Sequence, residues 1–413
     1  MDLVLTDEQA MIRDAAADVL AERSTSGDVR RALEQSAGRD DALWAAVAGE
    51  LGWNALALPE AAGGMGLGAL EQTLLMEQLG RRVACVPYFS TACLAATALA
   101  GCADTAAATG WLAKIAEGAC SATLALPFEL PAGAGQLPVV AEEAAGGYAL
   151  SGTIEQVIDG ARADLLMIPA RIANEGQAIG LFAIDVATAS GLSVTPLDTL
   201  DATRPIARVV LDDTRVSRDA LFAVGAVAAQ VLERAAWFAA LALAAEQLGG
   251  AQQCLDLTLD YTSQRVQFGR AIASFQAVKH RCAQMMVLIE SARSAVLGAA
   301  HAWDAEAGSG VPGAALRGDV AAAKAAANDA AAFCAQEAIQ LHGGVGFTWE
   351  YDPHLYFKRA QASSAQFGST PQLLEWIASH AIDGGTSQSD AAPASSSASI
   401  ASRPSAARTG ALQ

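Results

Sequence analysis

Two short stretches of this sequence carry side chains whose types and spacing could do chemistry. In the first, Arg265, Phe268 and Gln276 fall within RVQFGRAIASFQ. An arginine presents a planar fork of donors that matches a carboxylate or phosphate. Phe268 offers a face for an aromatic ring or a sugar, and Gln276 an amide that can donate and accept. In the second, Gln340, Gly343, Gly344 and Gly346 stand in QLHGGVGF. Glycines without side chains let a backbone approach an anion closely, although a lone HGGVG more often only ends a helix. A third candidate is Glu246, a carboxylate that follows the apolar run AAWFAALALAA. Desolvation there would make it a stronger base; bonded to a neighbouring helix or loop, it would be structural.

The elements that must position these residues are mostly helical. Residues 1–117 read as helices, with Thr6 as an N-cap and a glycine-rich loop at 58–68 before a helix over 69–82. Between 118 and 222, short apolar runs broken by Gly, Pro, Asp and Asn predict roughly six to eight strands in a β barrel or sandwich. From 223 to 383 long alanine-rich helices return and should form a bundle. Residues 384–413 hold almost no large apolar groups and are expected to be a disordered tail. The expected class is therefore mainly α with a central β domain. That order excludes a doubly wound nucleotide fold, which alternates strand and helix.

Composition bounds the function. The chain has 413 residues, 44 Asp and Glu against 26 Lys and Arg, and a formal net charge of -18. Nucleic acid and anionic membrane would repel it. The apolar stretch 235–245 is about half a membrane span and reads as a buried core helix. Seven scattered cysteines without a C-x-x-C read as reduced, mostly buried thiols, and no metal site is expected. Acids at the start oppose a signal peptide, so a cytoplasmic location is expected.

Taken together, RVQFGRAIASFQAVKHRCAQM and QLHGGVGFTWEY resemble the R-x-x-F-G-x-x-I-x-x-F-Q and Q-x-x-G-G-x-G-F signatures of the acyl-CoA dehydrogenase family. LGWNALALPEAAGGMGLG is similar to that family's N-terminal domain. The resemblance implies FAD, held by Arg265, Phe268, Gln276, Gln340, Gly343, Gly344 and Gly346. Arg265, Phe268 and Gln276 would face one cofactor while the 340–346 loop of another subunit reaches it, so at least a dimer is implied. Also implied are an acyl-CoA substrate, a trans-2-enoyl-CoA product and an electron-transfer flavoprotein as acceptor.

The sequence departs from the family where the base should be. The usual glutamate position after the glycine loop holds Phe367. The alternative position, 26 residues before the signature arginine, holds Ala239. Glu246, seven residues further along the same helix face, is the nearest acid and the candidate base. Gln156-Val157-Ile158 replaces the Trp-Ile-Thr or Trp-Ile-Ser run that lies beside the flavin in many members. These departures resemble a bacterial branch associated with bulky acyl-CoAs, including steroid side chains. Three functions stay open: a self-sufficient acyl-CoA dehydrogenase, a non-catalytic FAD-binding subunit of a heteromeric one, or a same-fold flavin oxidase or monooxygenase. The assembly could be a homo-oligomer or include a related dehydrogenase subunit.

Overall fold

The computed structural model describes residues 3–128, 137–173, 178–306, 308 and 310–382; the expected tail lies outside them. The chain opens with α1 (Asp7–Arg23), α2 (Ser26–Gln35) and α3 (Asp41–Ala45), followed by α4 (Ala69–Arg81), α5 (Ala96–Ala100) and α6 (Ala106–Ala116). Thr6 caps α1: its hydroxyl accepts from the Gln9 N–H, and the Gln9 side chain accepts from the Thr6 N–H. Turns of π-helix, Ala46–Glu50 and Phe89–Ala95, extend α3 and lead into α5.

Eight strands follow: β1 (Ala122–Leu124), β2 (Val140–Ala144), β3 (Gly147–Ile158), β4 (Leu165–Ile172), β5 (Ile179–Asp185), β6 (Leu192–Leu197), β7 (Ile206–Ser217) and β8 (Leu221–Val224). They form one sheet in the order β6-β7-β3-β2-β4-β5-β8, with β1 added to β4. Pairing is antiparallel except where β4 meets β1 and β2. Tyr148 on β3 touches Phe182 on β5 with ring centroids 5.3 Å apart. Three strand spacings separate them, about 14 Å in a flat sheet, so the sheet curls onto its own core. Alternation along β4 serves two cores: Leu166, Ile168 and Ala170 point into the curl, while Leu165 and Met167 pack on the helices.

The C-terminal part comprises α7 (Gly225–Gln264), a hairpin of β9 (Val266–Gln267) and β10 (Arg270–Ala271), α8 (Gln276–Ala305), α9 (Ala314–His342), α10 (Pro353–Ser363) and α11 (Thr370–Ile382). Residues 235–245 of α7 are all buried, as an apolar run in a bundle should be. α4 crosses α7 with almost no gap. A Cβ on Gly80 would lie 2.0 Å from the Glu246 carbonyl oxygen, and one on Gly249 would lie 1.9 Å from that of Glu77. Two glycines thus set the distance between the N-terminal helices and the bundle.

Candidate active site

The last turn of α7 delivers the first motif to the surface. Arg265 leaves the helix in an extended conformation (φ -70°, ψ 118°), and its carbonyl accepts from the Ile272 N–H at 2.8 Å. The hairpin pairs Gln267 with Arg270, so Phe268 (φ 52°) and Gly269 (φ 77°) form its tip. Left-handed backbone is costly for a bulky residue. Here it leaves Phe268 92% exposed. An aromatic side chain held out on strained backbone is available to a ligand or another chain.

The second motif closes α9. His342 is buried, its Nδ1–H donating to the Ala338 carbonyl at 2.6 Å. Burial pushes its pKa down, so the ring is neutral. It stacks on Tyr261 at 4.4 Å, with the edge of Tyr351 at 5.8 Å. Tyr261 lies one turn before Arg265, so this stack ties the ends of the two motifs together. The role of His342 is packing. Gly343 (φ 66°, ψ -142°) adopts backbone that favours glycine. A Cβ on Gly343 or Gly344 would meet nothing within 4 Å, so this backbone stands open. Gly346 differs: it is buried, and a Cβ there would sit 2.6 Å from the Ile339 carbonyl oxygen. Its glycine serves the turn.

The two base positions of the sequence analysis contain no acid and no free space. Ala239 is fully buried, and Phe367 is 1% exposed with left-handed backbone (φ 52°). The Phe367 N–H donates to the Phe128 carbonyl at 2.7 Å. Its ring packs against Phe128 and Phe89 at 5.9 and 6.1 Å, and the Arg204 guanidinium lies 4.8 Å over Phe89.

Glu246 is buried, but its surroundings are cationic where the sequence suggested apolar neighbours. One carboxylate oxygen accepts from Arg204 and, at 2.8 Å, from Arg359. Arg359 also bonds Asp201 at 2.6 Å and Thr203 at 2.7 Å. The space beside Glu246 is about 10 Å³, room for one water at most. The surroundings of Glu246 are therefore an ion-pair network and not the apolar ones expected: the side chain joins α7 to the β domain and α10.

Sequence reasoning missed the rest of this network. Lys324 on α9 is fully buried, donating to Asn328 Oδ1 at 2.5 Å and the Ser363 carbonyl at 3.2 Å. Burial pushes its pKa down to about 7, opposed by Glu246. Gln247 donates to Asn328 and to the Ser363 hydroxyl, both at 2.9 Å, and Asn328 reaches the Gly368 carbonyl at 3.3 Å. Together they fasten the segment that carries Phe367. Asp159, with φ 54°, is a further, half-buried acid; its Oδ2 accepts from the Ser90 hydroxyl at 2.6 Å, and desolvation raises its pKa. The visible signal was a lysine amid alanines at 321–327 and an acid directly after Ile158.

Comparison with known proteins decides the family. Residues 6–119 match the acyl-CoA dehydrogenase N-terminal domain, and residues 229–382 the acyl-CoA dehydrogenase C-terminal domain. The chain belongs to the acyl-CoA dehydrogenase family. It is similar to acyl-CoA dehydrogenase IpdE2 of Mycobacterium tuberculosis, with 31% identity over 90% of this chain and 97% of that one. Among solved structures it resembles the ChsE4-ChsE5 complex of M. tuberculosis (TM-score 0.80, 27% identity, 92% of this chain and 99% of that one). It also resembles Tcur3481-Tcur3483, a steroid ACAD solved in a variant form (TM-score 0.77, 30% identity, 92% and 98%). The mainly helical fold with a central β domain is that of acyl-CoA dehydrogenases, as its motifs implied.

Proposed function

We propose that this chain is the subunit of a heteromeric acyl-CoA dehydrogenase that helps to hold FAD while a related chain supplies the catalytic base. The observation that carries the reading is the hydrogen bond from Phe367 to Phe128. It ties the residue at the family's base position to the segment after β1, and the Phe367 ring packs with Phe89 and Phe128.

The exposed motif residues fit the phosphate and adenosine half of FAD. Among the described residues the Arg265 guanidinium has no carboxylate partner, and the side chains of Gln276 and Gln340 are exposed without a hydrogen bond. Arg265 would place two parallel donors on a phosphate. The open backbone of Gly343 and Gly344 would admit a phosphate without displacing a side chain. Phe268 would cover a ring or sugar, and Gln276 and Gln340 would serve adenine. FAD supplies the hydride acceptor for oxidation between Cα and Cβ of an acyl thioester.

Proton removal from Cα needs a base within about 3 Å. Neither Ala239 nor Phe367 can accept a proton, and Glu246 is enclosed by arginines. The base therefore belongs to the other chain, an arrangement supported by the likeness to a two-component ChsE4-ChsE5 complex. A bulky, steroid-like acyl-CoA is the proposed substrate class, supported by the likeness to a steroid ACAD. An electron-transfer flavoprotein is the proposed acceptor. The test is Glu246→Gln in the co-purified complex: flavin reduction by substrate, counted per bound flavin, should stay near wild type. Its abolition in folded, flavin-loaded complex would return the base to this chain.

A further inference from the structure

Between residues 261 and 289 there is no Asp or Glu, although the chain has 44 acids against 26 Lys and Arg. The same stretch carries Arg265, Arg270, Lys279, His280 and Arg281. All five are exposed on the β9–β10 hairpin and the first turns of α8, and Arg270, which lies over Phe275, comes next to Lys279 one helical turn further on. Arg281 is paired with Glu337 at 3.1 Å. Among the described residues, Arg265, Arg270 and Lys279 have no acidic partner, and Arg270 lies 4.0 Å over the Phe275 ring. Val266, Phe268, Met286 and Val287 on these elements are 56, 92, 49 and 64% exposed. Exposed apolar groups interleaved with uncompensated cations are a surface prepared for a partner.

The charge pattern selects the partner. A second copy joined by a two-fold axis through this face would present the same patch to itself. Arg270 and Lys279 would then approach cations, at a cost that grows as the contact excludes water and salt. A copy offering its acid-rich surface elsewhere would make a head-to-tail contact, which does not close into a dimer. Arg265 and Phe268 are set aside, because FAD would neutralise the one and cover the other.

We infer that this face binds a different chain bearing carboxylates opposite Arg270 and Lys279, and that it rejects a second copy of this chain. The inference rests on the heteromeric reading above and adds the chemistry of the partner's surface.

A charge-reversed form of the same chain provides the probe. Arg270→Glu with Lys279→Glu presents acids on the same face without touching the residues assigned to FAD. With FAD present at about 50 mM salt, sedimentation should show wild type alone as monomer. An equimolar mixture with the double variant should associate at least about tenfold more tightly than either alone. Raising salt to about 0.5 M should remove that gain. A wild-type dimer insensitive to salt, or a mixture that gains nothing, overturns the inference. If the double variant does not fold, Lys279→Glu alone is read the same way, with a smaller gain. The assay does not depend on flavin reduction, so partner-dependent reduction would survive this failure and leave the heteromeric reading standing.

Discussion

The N–H of Phe367 donates to the carbonyl of Phe128 at 2.7 Å, joining the segment between α10 and α11 to the β domain. Phe89 and Phe128 pack on the Phe367 ring, and the polar groups beneath, from Asn328 to Gly368, hold the segment in place. A position that would carry a base in many relatives is here a packed aromatic junction.

Removing the carboxylate of Glu246 should cost stability. Glu246→Gln leaves Arg204 buried without a carboxylate and Arg359 with Asp201 alone, and breaking a buried ion pair costs about 3–5 kcal/mol. Urea unfolding at neutral pH measures this. A loss within about 0.5 kcal/mol would show that the two arginines do not depend on this acid.

Arg265→Ala should lower flavin content without lowering stability, because the side chain is exposed and unpaired. Losing a charged bidentate contact of about 1.5–3 kcal/mol corresponds to roughly tenfold to hundredfold weaker binding. Visible absorbance against protein concentration reads the occupancy. Full retention of flavin would remove Arg265 from the site.

Lys324 should give stability a distinctive pH slope. Its folded pKa, pushed down to about 7, lies below the ordinary lysine value of 10.5. Between these values the unfolded chain binds the extra proton, so stability rises with pH across that window. Below about 7 both states are protonated, and the cost of burying the charge is fully present. Replacing Lys324 with Met should flatten the slope, so wild type gains on Lys324→Met by roughly a few kcal/mol between pH 7 and 10. Parallel curves for the two proteins would contradict this origin.

The α4–α7 crossing predicts sensitivity to a single methyl group. Gly80→Ala and Gly249→Ala would each place a Cβ 2.0 Å or less from a backbone oxygen that cannot swing aside. The helices would have to separate, costing about 1–3 kcal/mol or more. Thermal melts test this. Gly298→Ala on α8, where a Cβ meets nothing within 4 Å, is the control and should be neutral or slightly stabilising.

Much of the fold was legible because its signals are local. The Thr6 cap, the helix expected over 69–82 and found at Ala69–Arg81, and the buried run 235–245 follow from periodicity and capping, and turn residues separated the strands. The Arg265 and Gln340 motifs also sit on the surface expected of groups that meet a ligand. Glu246 could not be read in this way. Its neighbours Arg204 and Arg359 are distant in sequence, so one apolar window gave it the wrong environment. Gly346 shows the same limit: its need for glycine comes from Ile339, seven residues away on α9. Lys324 stands alone among alanines, but which face of α9 α7 and α10 cover is set by residues distant in sequence, so its burial is not legible in its own segment.

Anaerobic titration with acyl-CoAs of bulky and linear chain tests the absence of a base in this chain most directly. The chain purified alone and supplied with FAD should show no bleaching of flavin absorbance with any of them. Together with a related subunit that carries a carboxylate at its own base position, the flavin should bleach on mixing with substrate. Bleaching by the chain alone would contradict the account.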